Sequence, residues 1–129
     1  MADRHPVQHQ RLRSRESGQA AVEFALALPL IVIAMLAIAQ VGVSIRNEVA
    51  VEAAAREGAR AAAVSPDSGS ARAAARRAVA LPMDIDVRSD GRTVTVTVTY
   101  VDPTDIAIIG AAIGPVTHTA TATMAIEPP

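Results

Sequence analysis

Between Phe24 and Ile45 the chain reads FALALPLIVIAMLAIAQVGVSI, a run without a charged side chain and with only Gln40 and Ser44 clearly polar. As an α-helix rising about 1.5 Å per residue, the run would be roughly 33 Å long, enough to cross a bilayer core of about 30 Å. One carboxylate, Glu23, stands at its N-terminal edge. On insertion scales a carboxylate at membrane depth costs roughly 2–3 kcal/mol or more, so it needs a partner or a reason. The simpler alternative is that Glu23 sits at the headgroup boundary and faces water. The rest of the chain is what precedes this run, what extends it, and what it anchors.

The total of 129 residues suits one small domain plus an anchor. Half of the residues are hydrophobic, but only Phe24 and Tyr100 are aromatic. Alanine side chains bury little area each, so a soluble core built from them is thin. The net charge is −1 and no long basic run follows the apolar segment, which argues against nucleic-acid binding. Without cysteine there is no disulfide framework, zinc–thiolate site or thiol nucleophile.

Residues 1–18, MADRHPVQHQRLRSRESG, are polar and lack an apolar period, so they read as a disordered leader. Arg4, Arg11, Arg13 and Arg15 outnumber Asp3 and Glu16, whereas the charges after Ile45 are mixed. The positive-inside rule then puts the leader in the cytoplasm and everything after about Ile45 outside. Three readings of this terminus compete. One is an uncleaved single-pass anchor. Another is a secretory signal cut after Ala37-Ile38-Ala39, against which stand the uninterrupted apolar run and the position of Glu23. The third is a leader ending in Gly18, with a new N-terminus at Gln19 and Glu23 one helical turn beyond it.

The segment Gly18-Gln19-Ala20-Ala21-Val22-Glu23-Phe24 resembles the processing site of type IV prepilins, and of the Flp/Tad pilins in particular: Gly, four residues, Glu, then an aromatic. Downstream, VEAAAREGARAA over residues 51–62 resembles the segment after the membrane helix in TadE-like pseudopilins. The resemblance covers residues 12–64 well and the remainder only in layout. Phe24 stands where the Flp pilins proper carry Tyr, and the chain is too long to resemble the short major Flp pilin. The resemblance implies a minor pseudopilin of a Tad/Flp-type pilus or secretion system. It would be cut between Gly18 and Gln19 by a prepilin peptidase, with Glu23 and Phe24 serving assembly. Glu23 would neutralise the N-terminal amine of a neighbouring subunit. The implied partners are other pilins and pseudopilins, the inner-membrane pilus assembly platform and membrane lipid.

Residues 19–64 are expected to form one helix, through Pro29, with an alanine-rich extension outside the membrane. Glu48, Glu52, Arg56 and Arg60 recur every four residues as a solvated stripe, in which Glu52 and Arg56 are a favourable pair. Ala50, Ala54 and Gly58 recur at the same spacing on another face and permit close helix packing, against sister pilins or the chain's own domain. Plain helix-forming alanine explains the same pattern.

Residues 65–129 read as a small extracytoplasmic α+β domain: a short helix packed on a three-stranded antiparallel sheet. Ser65 to Ser70 is a loop, and Ala71 to Leu81 a helix with Arg72, Arg76 and Arg77 on a solvated face. Strands are expected over Met83–Arg88, Thr93–Val101 and Val116–Ile126. Asp90-Gly91 marks a hairpin turn between the first two. In the second strand Val94, Val96, Val98 and Tyr100 share a face opposite four threonines, and the third alternates likewise through His118, Ala120, Ala122 and Met124. Ile106 to Ile113 is apolar but too short to span a membrane. It reads as a loop or single helical turn on the sheet, or as an exposed loop touching membrane or partner.

Nothing here points to catalysis. His118 has no neighbouring ligand pattern, and Asp84, Asp86, Asp90, Asp102 and Asp105 suit turns and lack calcium-loop spacing. Serine-hydrolase, phosphate-loop and dinucleotide patterns are missing. The expectation is a non-enzymatic structural protein with no cofactor or metal, in the cytoplasmic membrane. The alternative is a secreted or membrane-anchored extracytoplasmic binding domain.

Overall fold

The structure is a computed structural model that describes residues 7–65 and 67–127. Its first element, α1, runs from Val7 to Val64 as one 58-residue helix, about 87 Å at 1.5 Å per residue. It passes through Pro29 and ends just before Ser65. The helical start at Val7 corrects the disordered reading of the leader where it is described; residues 1–6 lie outside the described residues. The physical reason is local. No proline follows Pro6 until Pro29, and Gln, Arg, Leu and Glu propagate a helix well once a long one exists. Gly18 weakens it by about 1 kcal/mol relative to alanine, too little to end it.

The remaining elements follow in order: α2 (Ser68–Ala78), β1 (Asp84–Ser89), β2 (Thr93–Asp102), α3 (Ile109–Ile113) and β3 (Val116–Ala125). Helix α2 starts three residues earlier than the sequence suggests, because Asp67 caps it: its side chain accepts the Ser70 N–H at 3.0 Å. It also ends three residues earlier, at Ala78, since Val79 is already extended. The sheet has order β1-β2-β3, both pairs antiparallel. Asp90 N–H donates to the Thr93 carbonyl at 3.2 Å across the first hairpin, where Gly91 takes φ +84. The register sets Val94 opposite Met124, Val96 opposite Ala122 and Tyr100 opposite His118. On the outer face Thr95–Thr123, Thr97–Thr121 and Thr99–Thr119 hydroxyls bond across the strands at 2.9, 3.1 and 3.4 Å.

The inner face of the sheet packs chiefly on the C-terminal part of α1, where the sequence reading put α2. Buried Val51, Ala54, Ala55, Ala59, Ala62 and Ala63 of α1 meet Val94, Val96 and Val98 of β2, with Ala71 and Ala75 of α2 and Met83 completing the core. This is a 3.6-period stripe of mostly alanine, so the sheet approaches the helix axis closely. Helix α2 lies on α1 and touches the sheet mainly at β1, where Arg72 Nε donates to the Ile85 carbonyl at 3.3 Å. Arg72 is thus tied to β1, whereas Arg76 and Arg77 are exposed. Turn α3 lies against α1, which corrects its expected position on the sheet. In the C-terminal tail, 128–129 lie outside the described residues.

Candidate functional site

The residues that the sequence singles out divide into two groups on α1. Gly18, Gln19, Glu23 and Phe24 lie at the head of the apolar run, all exposed. A methyl group at Gly18 would meet nothing within 4 Å. Gln19 and Glu23 stand one turn apart, and Gln19 Nε2 donates to Glu23 Oε1 at 3.1 Å. Among the described residues Glu23 makes no ion pair. None of the 18-residue apolar window within this helix is buried by the protein itself, and Leu26, Leu30 and Ile38 are each more than two-thirds exposed. Such a surface is stable only against lipid or other apolar helices. By length and composition the helix fits a single-pass membrane anchor.

The Gly18–Gln19 bond lies inside helical chain, so the disordered leader end expected from the sequence is not what the structure has. Ala39–Gln40, the junction of the signal-peptide reading, is likewise inside α1, and Gln40 is buried.

The second group, Ala50, Ala54 and Gly58, faces the chain's own domain. Ala50 is half-buried and Ala54 fully buried. A Cβ at Gly58 would lie 3.1 Å from Val96 Cγ1, 3.2 Å from the Ala71 carbonyl oxygen and 3.3 Å from Ala75 Cβ. Gly58 is therefore where α1, α2 and β2 converge, and the small-residue stripe serves the intramolecular contact. Of the charged stripe, Glu52 and Arg56 pair at 3.1 Å while largely exposed, and contribute about 0.3–0.5 kcal/mol. Glu48 does more. Its Oε2 is 3.0 Å from Nδ1 of His118, which is buried on β3 and stacked against Tyr100 with ring centroids 6.4 Å apart.

A polar clasp at the same end was not found by sequence reading. Asn47 Nδ2 donates to Asp102 Oδ2 at 2.8 Å, both residues being buried. Asp102 Oδ1 also accepts the Thr104 N–H at 2.9 Å. The signal was present: Asp102 continues the even-numbered face of β2 after Val94, Val96, Val98 and Tyr100, the buried face. At the other end, Glu127 N–H donates to the Ala63 carbonyl at 3.0 Å, satisfying one of the unpaired carbonyls of the last turn of α1. The sheet is thus fixed to α1 near Asn47 and again near Ala63, about 24 Å apart along the helix. The apolar helix and the small domain share one core.

The arrangement offers an uncovered apolar helix with one carboxylate at its head, rigidly joined to a small domain. Among the described residues no three His, Asp or Glu side chains gather as a metal-binding group. Neither the curated proteins nor the solved structures contain a match to the chain. A family model described as TadE-like protein matches residues 18–60. That match starts at Gly18, takes in Glu23 and the whole apolar run, and ends beside Gly58. Over this third of its length, from the head of the apolar helix into the packed extension, the chain is similar to TadE-like proteins.

Proposed function

We propose that this chain is a minor pseudopilin, a structural component rather than an enzyme, that a prepilin peptidase cuts between Gly18 and Gln19. The observation that carries the reading is the pairing of Gln19 with Glu23 on an otherwise uncovered helix. Cleavage puts a cationic amine on Gln19, one turn from a carboxylate that has no cation of its own among the described residues. Within a bundle of such helices, the amine of one subunit and Glu23 of the next neutralise each other. A carboxylate left unpaired in that apolar setting is strongly unfavourable. The leader faces the cytoplasm, by its arginine excess, and the outer domain lies across the cytoplasmic membrane. The partners are other pilins and pseudopilins and the inner-membrane assembly platform.

Because the cut bond lies in helical chain, the peptidase has to unwind about a turn, and Gly18 lowers that cost by about 1 kcal/mol relative to alanine. Two substitutions test the reading in cells that carry the pilus system. Gly18→Leu blocks processing, and the full-length chain accumulates in the membrane. Glu23→Ala is processed but poorly assembled, although it removes a costly carboxylate and inserts at least as well. Normal cleavage of Gly18→Leu, or undiminished assembly of Glu23→Ala, contradicts the proposal.

A further inference from the structure

The connection between β2 and β3 is held in a fixed shape beside the apolar run of α1. Thr104 and Ile108 adopt left-handed φ values of 57 and 70. Any side chain at Gly110 would collide with the Thr104 carbonyl oxygen. Thr104 Oγ1 donates to the Gly114 carbonyl at 2.8 Å, closing the loop on itself, and the Asn47–Asp102 bond fastens its base to α1. Non-glycine residues persist in the left-handed region only where surrounding contacts impose it.

The loop lies on α1 before Asn47. Leu36, Ala37, Gln40, Val43 and Ser44 are the residues between Gly18 and Ile45 that lose exposure. Asp102 of β2 and His118 of β3 reach α1 at Asn47 and Glu48, and the connection that carries α3, which packs on α1, is the element placed to supply this cover. Gln40 lies five residues inside the end of the apolar run, about 7.5 Å along the axis. The connection carries no charge from Ile106 to Gly114, yet Ile108 is 57% and Ile113 55% exposed.

We infer that the Ile106–Ile113 turn is a second membrane contact, which dips beside α1 into the outer interfacial zone of the same bilayer through Ile108 and Ile113. The inference rests on the membrane-anchor reading of α1. Its occupant is lipid because the turn flanks the stretch that lipid already surrounds. The depth of about 7.5 Å matches the 5–10 Å at which interfacial apolar faces settle. A water-facing turn at this level would leave two isoleucines in contact with solvent beside a hydrocarbon layer. With the turn embedded, the chain meets the bilayer at two points, α1 and the turn.

The chain has no cysteine, so single cysteines can be labelled cleanly. Ile108→Cys, Ile113→Cys, Met35→Cys and Arg92→Cys variants of the full chain are labelled with a polarity-sensitive fluorophore. They are reconstituted in phosphatidylethanolamine–phosphatidylglycerol vesicles. Met35 is mid-run, and Arg92 is at the far end of the sheet. Quenching is read with aqueous iodide and with lipids carrying a nitroxide near the headgroup or deep in the acyl chain. The expected result at Ile108→Cys and Ile113→Cys is quenching by the shallow nitroxide, with iodide quenching at least threefold below that at Arg92→Cys. Iodide access equal to Arg92→Cys overturns the inference, with the turn in water. Iodide shielding without nitroxide quenching also overturns it and makes the turn an interface with a second copy. Loss of deep-nitroxide quenching at Met35→Cys removes the anchor reading itself, and the inference with it.

Discussion

Gly58 on α1 and Val96 on β2 meet so closely that a single methyl group on the glycine would lie 3.1 Å from Val96 Cγ1. This contact sets the distance between helix and sheet, and it explains why the α1 side of the core is mostly alanine. The extension of the apolar helix is one wall of that core.

Substitution at Gly58 tests this directly. Gly58→Leu is expected to destabilise the outer domain by about 1–3 kcal/mol or more, because three neighbours, one of them the backbone oxygen of Ala71, have to give way at once. The gain in helix propensity, about 1 kcal/mol, does not offset it. Denaturant unfolding in detergent micelles measures the change. Unaltered stability in Gly58→Leu would mean that α2 and β2 are not seated on α1.

The buried Asn47–Asp102 pair is the second fastening. Asn47→Ala leaves Asp102 with one donor fewer in a buried site, and a cost of about 1–3 kcal/mol follows. The Asp102→Asn variant in the Asn47→Ala background is expected to recover part of it, since the unpaired charge is then gone. Equal stability of wild type and Asn47→Ala, within about 0.5 kcal/mol, would count against the clasp.

Asp90 gives the small α+β domain a pH signature. Its carboxylate accepts the Thr93 N–H at 2.6 Å, the Arg92 N–H at 2.9 Å and the Thr93 hydroxyl at 3.1 Å. These bonds, the Thr93 amide first, hold its pKa below the ordinary 3.8. The folded state therefore binds fewer protons than the unfolded one just below pH 3.8. The stabilisation is complete above that pH and is lost as pH falls through the folded value. Asp90→Asn is expected to melt at a lower temperature than wild type at pH 7, and the gap is expected to close toward pH 2. A gap constant over that range would show that the turn does not depend on the charge.

Much of this was legible in the residues. The three strands, their hairpin and the faces of β2 and β3 follow from period-two alternation around Asp90-Gly91, because a half-buried antiparallel sheet imposes that pattern. The apolar run announced the long exposed helix, and the Gly18-to-Phe24 spacing announced the TadE-like match over residues 18–60. Other features depended on tertiary contacts. The leader's helical portion borrows its stability from the long helix behind it, so its polarity misled. The Ala50, Ala54 and Gly58 stripe fits several partners by spacing alone, and only the seating of Val96 on Gly58 shows which one. Turn α3 was placed on the wrong surface because its position is set by the Asn47–Asp102 bond, between residues 55 positions apart.

The central claim is that Gln19 becomes an N-terminus in front of Glu23. The most direct measurement is the intact mass and N-terminal peptide of the protein recovered from native membranes by mass spectrometry, which tolerates a cyclised terminal glutamine. The account predicts a chain that begins at Gln19. A chain that retains residues 4–18, or one that begins at Gln40, would contradict it.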